Sequence, residues 1–257
     1  MPKPPAGKAG KSAASENFPV ALRILAPEMH ARILAFYRRA READDIADDP
    51  VLSAEDRLHR LDILGQSDPD NTYLQLLLQA FRWDVSKSRY RDWSELMLYC
   101  RFSAVPVGRF LLDLHREGRE AQPASDALCA ALQVLNHLQD CGEDFRRLDR
   151  IYLPASWMEA EGATASDLGE SRISPALRRV FGHVLDRVDE LLIQARPLPQ
   201  KIVDRRLALQ AAVTVAVAER LARRLRRYDP LAAPVKLPAL GYAAACLDGG
   251  LRWLFRR

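Results

Sequence analysis

Between Pro27 and Asp49, apolar residues fall at Met29, Ile33, Leu34, Phe36, Tyr37, Ala40 and Ile46. This three-to-four spacing lines one face of a helix. Ser53, followed three residues later by Asp56, resembles a capping box and predicts a helix over 54–65. Helical periods continue over Asn71 to Trp83, Ser94 to Glu117, Ser125 to Arg147, Pro175 to Gln194 and Pro199 to Tyr228. Pro175 and Pro199 suit first helical turns, where the missing N–H would be unpaired anyway. A last helix is expected after Pro238 toward Phe255, weakened by Asp248-Gly249 inside it. Strand signals are poor, because no Asn-Gly or Asp-Gly joins two alternating runs. The pattern predicts an all-α fold with one helical domain over 17–257, preceded by a tail. Residues 1–16 hold Pro, Gly, Ala, Ser and Lys and almost nothing that packs, so they are expected to be disordered.

Composition narrows the picture. The 257 residues are 48% hydrophobic and 28% charged, with 12 Gly, which excludes a collagen-like or disulfide-scaffold protein. The net charge of +4 is too small to imply nucleic acid. Cys100, Cys129, Cys141 and Cys246 form no Cys-x-x-Cys pair and read as reduced thiols of a cytoplasmic protein. The weakly polar stretch Leu207 to Ala218 contains Gln210 and Thr214 and is too short to span a bilayer. Basic residues cluster at Arg223, Arg224, Arg226 and Arg227, and again at Arg252, Arg256 and Arg257. With the aromatic and apolar residues of Leu251–Arg257 they suggest peripheral contact with anionic lipid at the inner face of a membrane.

The chemistry lies in two acidic clusters. The first is Asp44-Asp45-Ile46-Ala47-Asp48-Asp49. A helix turns about 100° per residue, so Tyr37, Arg41, Asp44 and Asp48 share a face, and Asp45 and Asp49 fall off it. The second is Asn136, Asp140 and Asp144 at i, i+4, i+8, among Leu132, Leu135 and Leu138. Such a run is often only a solvated helix end. Two of them in separate helices would instead build a negative cleft, stable only with a cation inside it. Oxygen donors of this kind suit Mg²⁺, which keeps waters and shares substrate phosphates. No Gly-x-Gly-x-x-Gly marks a nicotinamide site, and His137 with Cys141 lacks further ligands for zinc.

Together these residues resemble the squalene/phytoene synthase family. Tyr37, Arg41, Asp44 and Asp48 match its first motif, and Asn136-x-x-x-Asp140-x-x-x-Asp144 with Arg150-Ile-Tyr-Leu-Pro154 matches its second. Tyr99-Cys100 and Tyr228-Asp229 with Val235-Lys236 resemble two further segments. Ser15-Glu-Asn-Phe-Pro-Val-Ala21, Tyr99-Cys-Arg101 with Pro106-Val-Gly-Arg109, and Asn136-His-Leu-Gln-Asp140 look most like the hopanoid-pathway branch. Gln139 stands where many relatives have Arg, and Asn17-Phe18-Pro19 replaces a His/Ser/Lys-rich stretch.

The resemblance implies an isoprenoid synthase-type bundle around a central cavity. It implies that presqualene diphosphate and water are converted to hydroxysqualene and diphosphate. Metal would be held by Asp44, Asp48, Asn136, Asp140 and Asp144, and the catalytic set would be Asp44, Asp48, Asp140, Asp144 and Tyr37. Arg41, Tyr37, Tyr99 and Arg150 would bind the diphosphate. Leu76, Leu77, Phe102, Val105, Val107 and Leu135 are expected to wall a prenyl tunnel. Other roles stay open: a condensing squalene or phytoene synthase, or a non-catalytic assembly factor, for which eroded motifs would be expected. Docking to other squalene-pathway enzymes also stays open.

Overall fold

In the computed structural model, residues 27–255 are described. The expected tail at 1–16, the segment Asn17-Phe18-Pro19, and Arg256 and Arg257 lie outside them. The chain forms α1 (Pro27–Ala47), α2 (Ala54–Gln66), α3 (Thr72–Ser86), β1 (Arg89–Tyr90), α4 (Trp93–Ser103), α5 (Val105–Leu114), α6 (Gln122–Leu148), β2 (Ile151–Pro154), α7 (Ala155–Glu161), α8 (Pro175–Ala195), α9 (Leu198–Lys201), α10 (Arg205–Arg227) and α11 (Ala239–Phe255). The fold is all-α, as the periodicity predicts, apart from the short parallel pair β1–β2. Among the described residues, no helix is long and apolar enough to cross a membrane.

Local chemistry sets the ends. Ser53 caps α2, its hydroxyl accepting the Asp56 N–H at 3.0 Å. The expected helix over Ser94 to Glu117 is two helices, broken at Ala104. Pro106 has no N–H, and its ring would clash with the carbonyl four residues back. The expected helix from Pro199 to Tyr228 is likewise interrupted at Ile202–Asp204. There Asp204 caps α10 by accepting the Arg206 and Leu207 N–H groups, at 2.9 and 2.8 Å. The Glu117 carboxylate takes the Val203 and Asp204 N–H groups, each at 2.7 Å. Helix α1 ends at Ala47 rather than Asp49, because Pro50 disfavours helical backbone in the residue before it.

The main core joins α4, α6, α8 and α10 around side chains such as Leu96, Leu135, Phe181, Leu185 and Leu225. A second cluster, including Phe36, Ala43, Leu61, Leu74 and Leu78, packs α1 against α2 and α3. Asp248-Gly249 does not break α11. A Cβ on Gly249 would lie 2.7 Å from the Ala212 carbonyl oxygen and 2.8 Å from Val213 Cα. The glycine is what lets the backbones of α11 and α10 touch.

Candidate active site

Helices α1 and α6 supply the site, and each changes character along its length in the same order. On α1, Ile33, Phe36, Tyr37 and Ala40 precede Arg41, Asp44 and Asp45, with Asp48 just past the helix end. On α6, Ser125, Leu128, Cys129 and Leu132 precede Asn136, Asp140 and Asp144. The first set from each helix lines one apolar cavity of about 210 Å³, closed by Val107 and Leu111 of α5 and by Gln210 and Thr214 of α10. The second set, apart from Asn136, lines an acidic cavity of about 490 Å³. At about 1.5 Å per residue, Leu132 and Asp140 are roughly 12 Å apart along α6.

The acidic cavity brings Asp44 and Asp48 together with Asp140 and Asp144, the four aspartates singled out in the sequence. Asp45, Asp49 and Glu143 line it too, so seven carboxylates face it against two guanidiniums, Arg41 and Arg147. Asp45 and Asp49 were expected off this face. Asp49 is beyond the end of α1, so helical arithmetic does not apply to it, and Arg41 reaches both Asp44 at 2.7 Å and Asp45 at 3.1 Å. Burial and the neighbouring Asp48 push the Asp44 carboxyl up to about 7, against the opposing pull of Arg41. Asn136 Oδ1 is buried without a hydrogen-bond partner. An orphaned amide oxygen one turn before Asp140 on α6, with the crowded carboxylates of the cavity beyond it, is a donor set that fits a hard divalent cation. Among the described residues, no three acidic, His or Cys side chains converge closely enough to cage an ion alone. Substrate oxygens and water would have to complete the coordination.

Behind the acidic cavity lies a buried polar network that the motifs do not announce. Asp84, 8% exposed near the end of α3, accepts the hydroxyls of Tyr99 at 2.8 Å and Tyr152 at 3.2 Å. Arg150 donates to Asp48 Oδ1 at 2.6 Å and to the Asp84 carbonyl at 2.8 Å. Burial raises the Asp84 carboxyl to about 6, with Arg150 and the Tyr99 bond holding it lower than burial alone would. His137 stacks on Tyr152 at 3.5 Å, and burial, then Arg150, lowers it to about 3. It is a neutral spacer. Asp84 and Tyr152 carry no sequence signal beyond an acid near the end of an apolar helix and a Tyr in a known motif.

The sequence candidates are thus placed in three settings. Tyr37 lines the apolar cavity, and Arg41, Asp44, Asp48, Asp140 and Asp144 line the acidic one. Tyr99 and Arg150 stand one layer back, on Asp84 and Asp48. Of the six residues expected to wall a tunnel, Val107 does so. Leu77 and Leu135 are sealed in the cores, Val105 is buried, Phe102 packs edge-on to Trp83 at 5.0 Å, and Leu76 is off the cavity wall. Periodicity marks the inward face of a helix, not which inward residues border a void. Gln139 is buried and donates to the Val235 carbonyl at 2.5 Å. It ties the chain after α10 onto α6.

Comparison with known proteins adds an independent line. The squalene/phytoene synthase family model matches residues 62–240. The chain is 44% identical to hydroxysqualene synthase of Rhodopseudomonas palustris, over 97% of this chain and 93% of that one. It is 43% identical to hydroxysqualene synthase of Zymomonas mobilis, over 94% and 90%. The crystal structure of squalene synthase HpnC from Alicyclobacillus acidocaldarius superposes with a TM-score of 0.71 at 29% identity, covering 79% of this chain and 85% of that one. With the two acidic motifs facing one cavity and the chain matched nearly end to end, this protein belongs to the squalene/phytoene synthase family of enzymes.

Proposed function

We propose that the enzyme converts presqualene diphosphate and water to hydroxysqualene and diphosphate, with Mg²⁺ as cofactor. The observation that carries this reading is the paired change from apolar to acidic along α1 and α6. It matches a substrate with a long apolar body and one anionic head. Near-full-length similarity to two proteins called hydroxysqualene synthase supports the choice within the family.

Asp44, Asp48, Asn136, Asp140 and Asp144 would hold the metal. When bound, Mg²⁺ supplies charge neutralisation at the diphosphate oxygens that take up the electron pair as the C–O bond breaks. Arg41 presents a planar fork of donors on the same wall and orients the diphosphate. Tyr37, one turn before Arg41, stands where the apolar body meets the head group. Arg150 and Tyr99 act as positioning residues: Arg150 fixes Asp48, and Tyr99 fixes the Asp84 carboxylate beside Arg150. The apolar cavity excludes bulk water from the cation left behind. That cation rearranges and is quenched as an alcohol.

A membrane surface is the second partner in this reading. Helix α11 buries Ala245 and Gly249 and exposes Leu240 (85%), Leu247 (69%), Leu251 (53%), Leu254 (60%) and Phe255 (80%). Leu240, Leu247, Leu251 and Leu254 follow helical spacing, so α11 carries an outward apolar stripe as well as an inward one. Its one acid, Asp248, is paired with Arg252 at 2.9 Å. Helix α11 runs antiparallel to α10, with Arg205 over Trp253 at 5.5 Å and Arg220 reaching the Ala244 carbonyl at 3.2 Å. Exposed Arg205 and Arg206 therefore lie toward one end of the stripe, and Arg223, Arg227 and Lys236 toward the other. Basic ends on an apolar stripe fit an anionic lipid surface, where a C30 product would be released.

The test is an incubation with Mg²⁺ and presqualene diphosphate, without nicotinamide, beside one with farnesyl diphosphate. A C30 alcohol from the first alone is expected. Condensation of farnesyl diphosphate would point to a squalene or phytoene synthase, and silence in both to a non-catalytic role. Asp140→Asn should abolish turnover and leave the helical fold intact. Unchanged turnover would refute the metal assignment.

A further inference from the structure

The apolar cavity holds one polar feature that neither the metal site nor the binding of a hydrocarbon chain explains. Gln210, on α10, lines this cavity and is 6% exposed, yet its Oε1 has no hydrogen-bond partner. Its neighbours on α10 along the cavity wall, Leu207 and Ala211, are apolar. One turn on, the Thr214 hydroxyl donates to the Gln210 backbone carbonyl at 2.8 Å, which leaves its oxygen lone pairs as acceptors. Ser125 adds a third polar side chain to the same wall. A buried carbonyl without a donor is destabilising, and native proteins satisfy such groups with ordered water. The cavity has room for water several times over, and water needs two to four polar partners.

Resting on the reading given above, we propose that Gln210, assisted by Thr214 and Ser125, holds the water molecule that ends the reaction. A cation formed in this cavity meets a mostly apolar wall, and a water held by Gln210 is a small nucleophile that can reach it and leave as part of the product. The water oxygen donates a lone pair to the cationic carbon and forms the new C–O bond. The proton it then sheds passes to the released diphosphate, whose own C–O bond broke earlier with both electrons. Gln210 Oε1 accepts a hydrogen bond from the water, which fixes its position and turns a lone pair toward the cation. Without it, the competing fate is loss of a proton from a neighbouring carbon, giving a hydrocarbon. Gln210 thus sets product identity and acts as a positioning residue.

The experiment is product partition by mass spectrometry with presqualene diphosphate and Mg²⁺, normalised to substrate consumed, for wild type, Gln210→Met and Gln210→Glu. Methionine keeps the length and removes the acceptor; glutamate keeps an acceptor oxygen. Gln210→Met should lower the alcohol-to-hydrocarbon ratio about tenfold, the factor set by losing roughly one ordinary hydrogen bond. Gln210→Glu should stay closer to wild type. A ratio in Gln210→Met equal to that of a wild type that makes the alcohol overturns the proposal. A wild type that makes no alcohol overturns the reaction assignment instead. If Gln210→Met fails to fold, a high-resolution crystal structure of the wild type decides. Ordered water within hydrogen-bond distance of Gln210 Oε1 supports the assignment, and its absence there overturns it.

Discussion

Replacing Tyr99, Tyr152 and Tyr90 singly by Phe removes one hydroxyl from each of three buried rings that touch one another, with centroids 5.3–5.5 Å apart. The shape lost is nearly the same, but the hydroxyl settings differ. Tyr99 gives a 2.8 Å bond to the buried Asp84 carboxylate. A bond to a charged, desolvated acceptor is worth about 1.5–3 kcal/mol. Tyr152 reaches the other carboxylate oxygen at 3.2 Å, at the long end of the range, and should be worth about 1 kcal/mol. The Tyr90 hydroxyl is buried with no partner, so its removal should be neutral or slightly stabilising. At roughly 2 °C per kcal/mol for a chain of this size, Tm should fall about 3–6 °C, about 2 °C and not at all, in that order. The assay is thermal unfolding at pH 8, where Asp84, raised to about 6, is ionised. At pH 5 Asp84 is mostly protonated, the acceptor is neutral, and the Tyr99→Phe penalty should shrink. A Tyr90→Phe loss equal to that of Tyr99→Phe would refute the reasoning, because ring packing rather than Asp84 would then be the source.

Gly249→Ala drives a Cβ into the backbone of Ala212 and Val213 and should cost about 1–3 kcal/mol. Gly250→Ala meets nothing within 4 Å and should stabilise by about 0.5–1 kcal/mol; a denaturant titration showing both changes in the same direction would contradict the helix contact. On the proposed metal assignment, Mg²⁺ binding requires an ionised Asp44, whose carboxyl is raised to about 7. Mg²⁺ should therefore bind more weakly below pH 7 and displace protons there, an amount that calorimetry in buffers of different ionisation enthalpy would read as near zero if Asp44 were not a ligand. Leu247→Gln combined with Leu251→Gln should remove the chain from anionic vesicles in a flotation assay while leaving it folded, and undiminished flotation would exclude the α11 stripe as the contact.

The helices and the two acidic motifs were legible because their signals are local. Periodicity needs only a dozen neighbouring residues, and Asp44 with Asp48, or Asp140 with Asp144, sit one turn apart. What was not legible depends on partners far along the chain. Asp84 is remarkable only because Tyr99, Tyr152 and Arg150 converge on it across separations of 15, 68 and 66 residues. The breaks at Ala104 and at Ile202–Asp204 follow from Pro106 and from the Glu117 carboxylate, the latter 86 and 87 residues from the N–H groups it takes. Gln139 was legible only as a departure from the family pattern; its bond to the Val235 carbonyl was not, because that partner lies 96 residues on.

The few residues from Asp144 to Arg150 act as a measured spacer. Helix α6 ends at Leu148, and Asp149 turns in the left-handed region (φ 50°). Arg89 clamps Asp149, Ile151 takes up its register opposite Arg89, and Arg150 is delivered to Asp48 between them. Successive residues of an extended strand face opposite sides. One inserted residue would therefore turn Arg150 away from Asp48 and Tyr152 away from Asp84 together. Length variants should be purged from this junction. The exposed segment at 170–172, which no such clamp holds, should accept them. The acidic cavity is thereby tied to chain length as firmly as to residue identity.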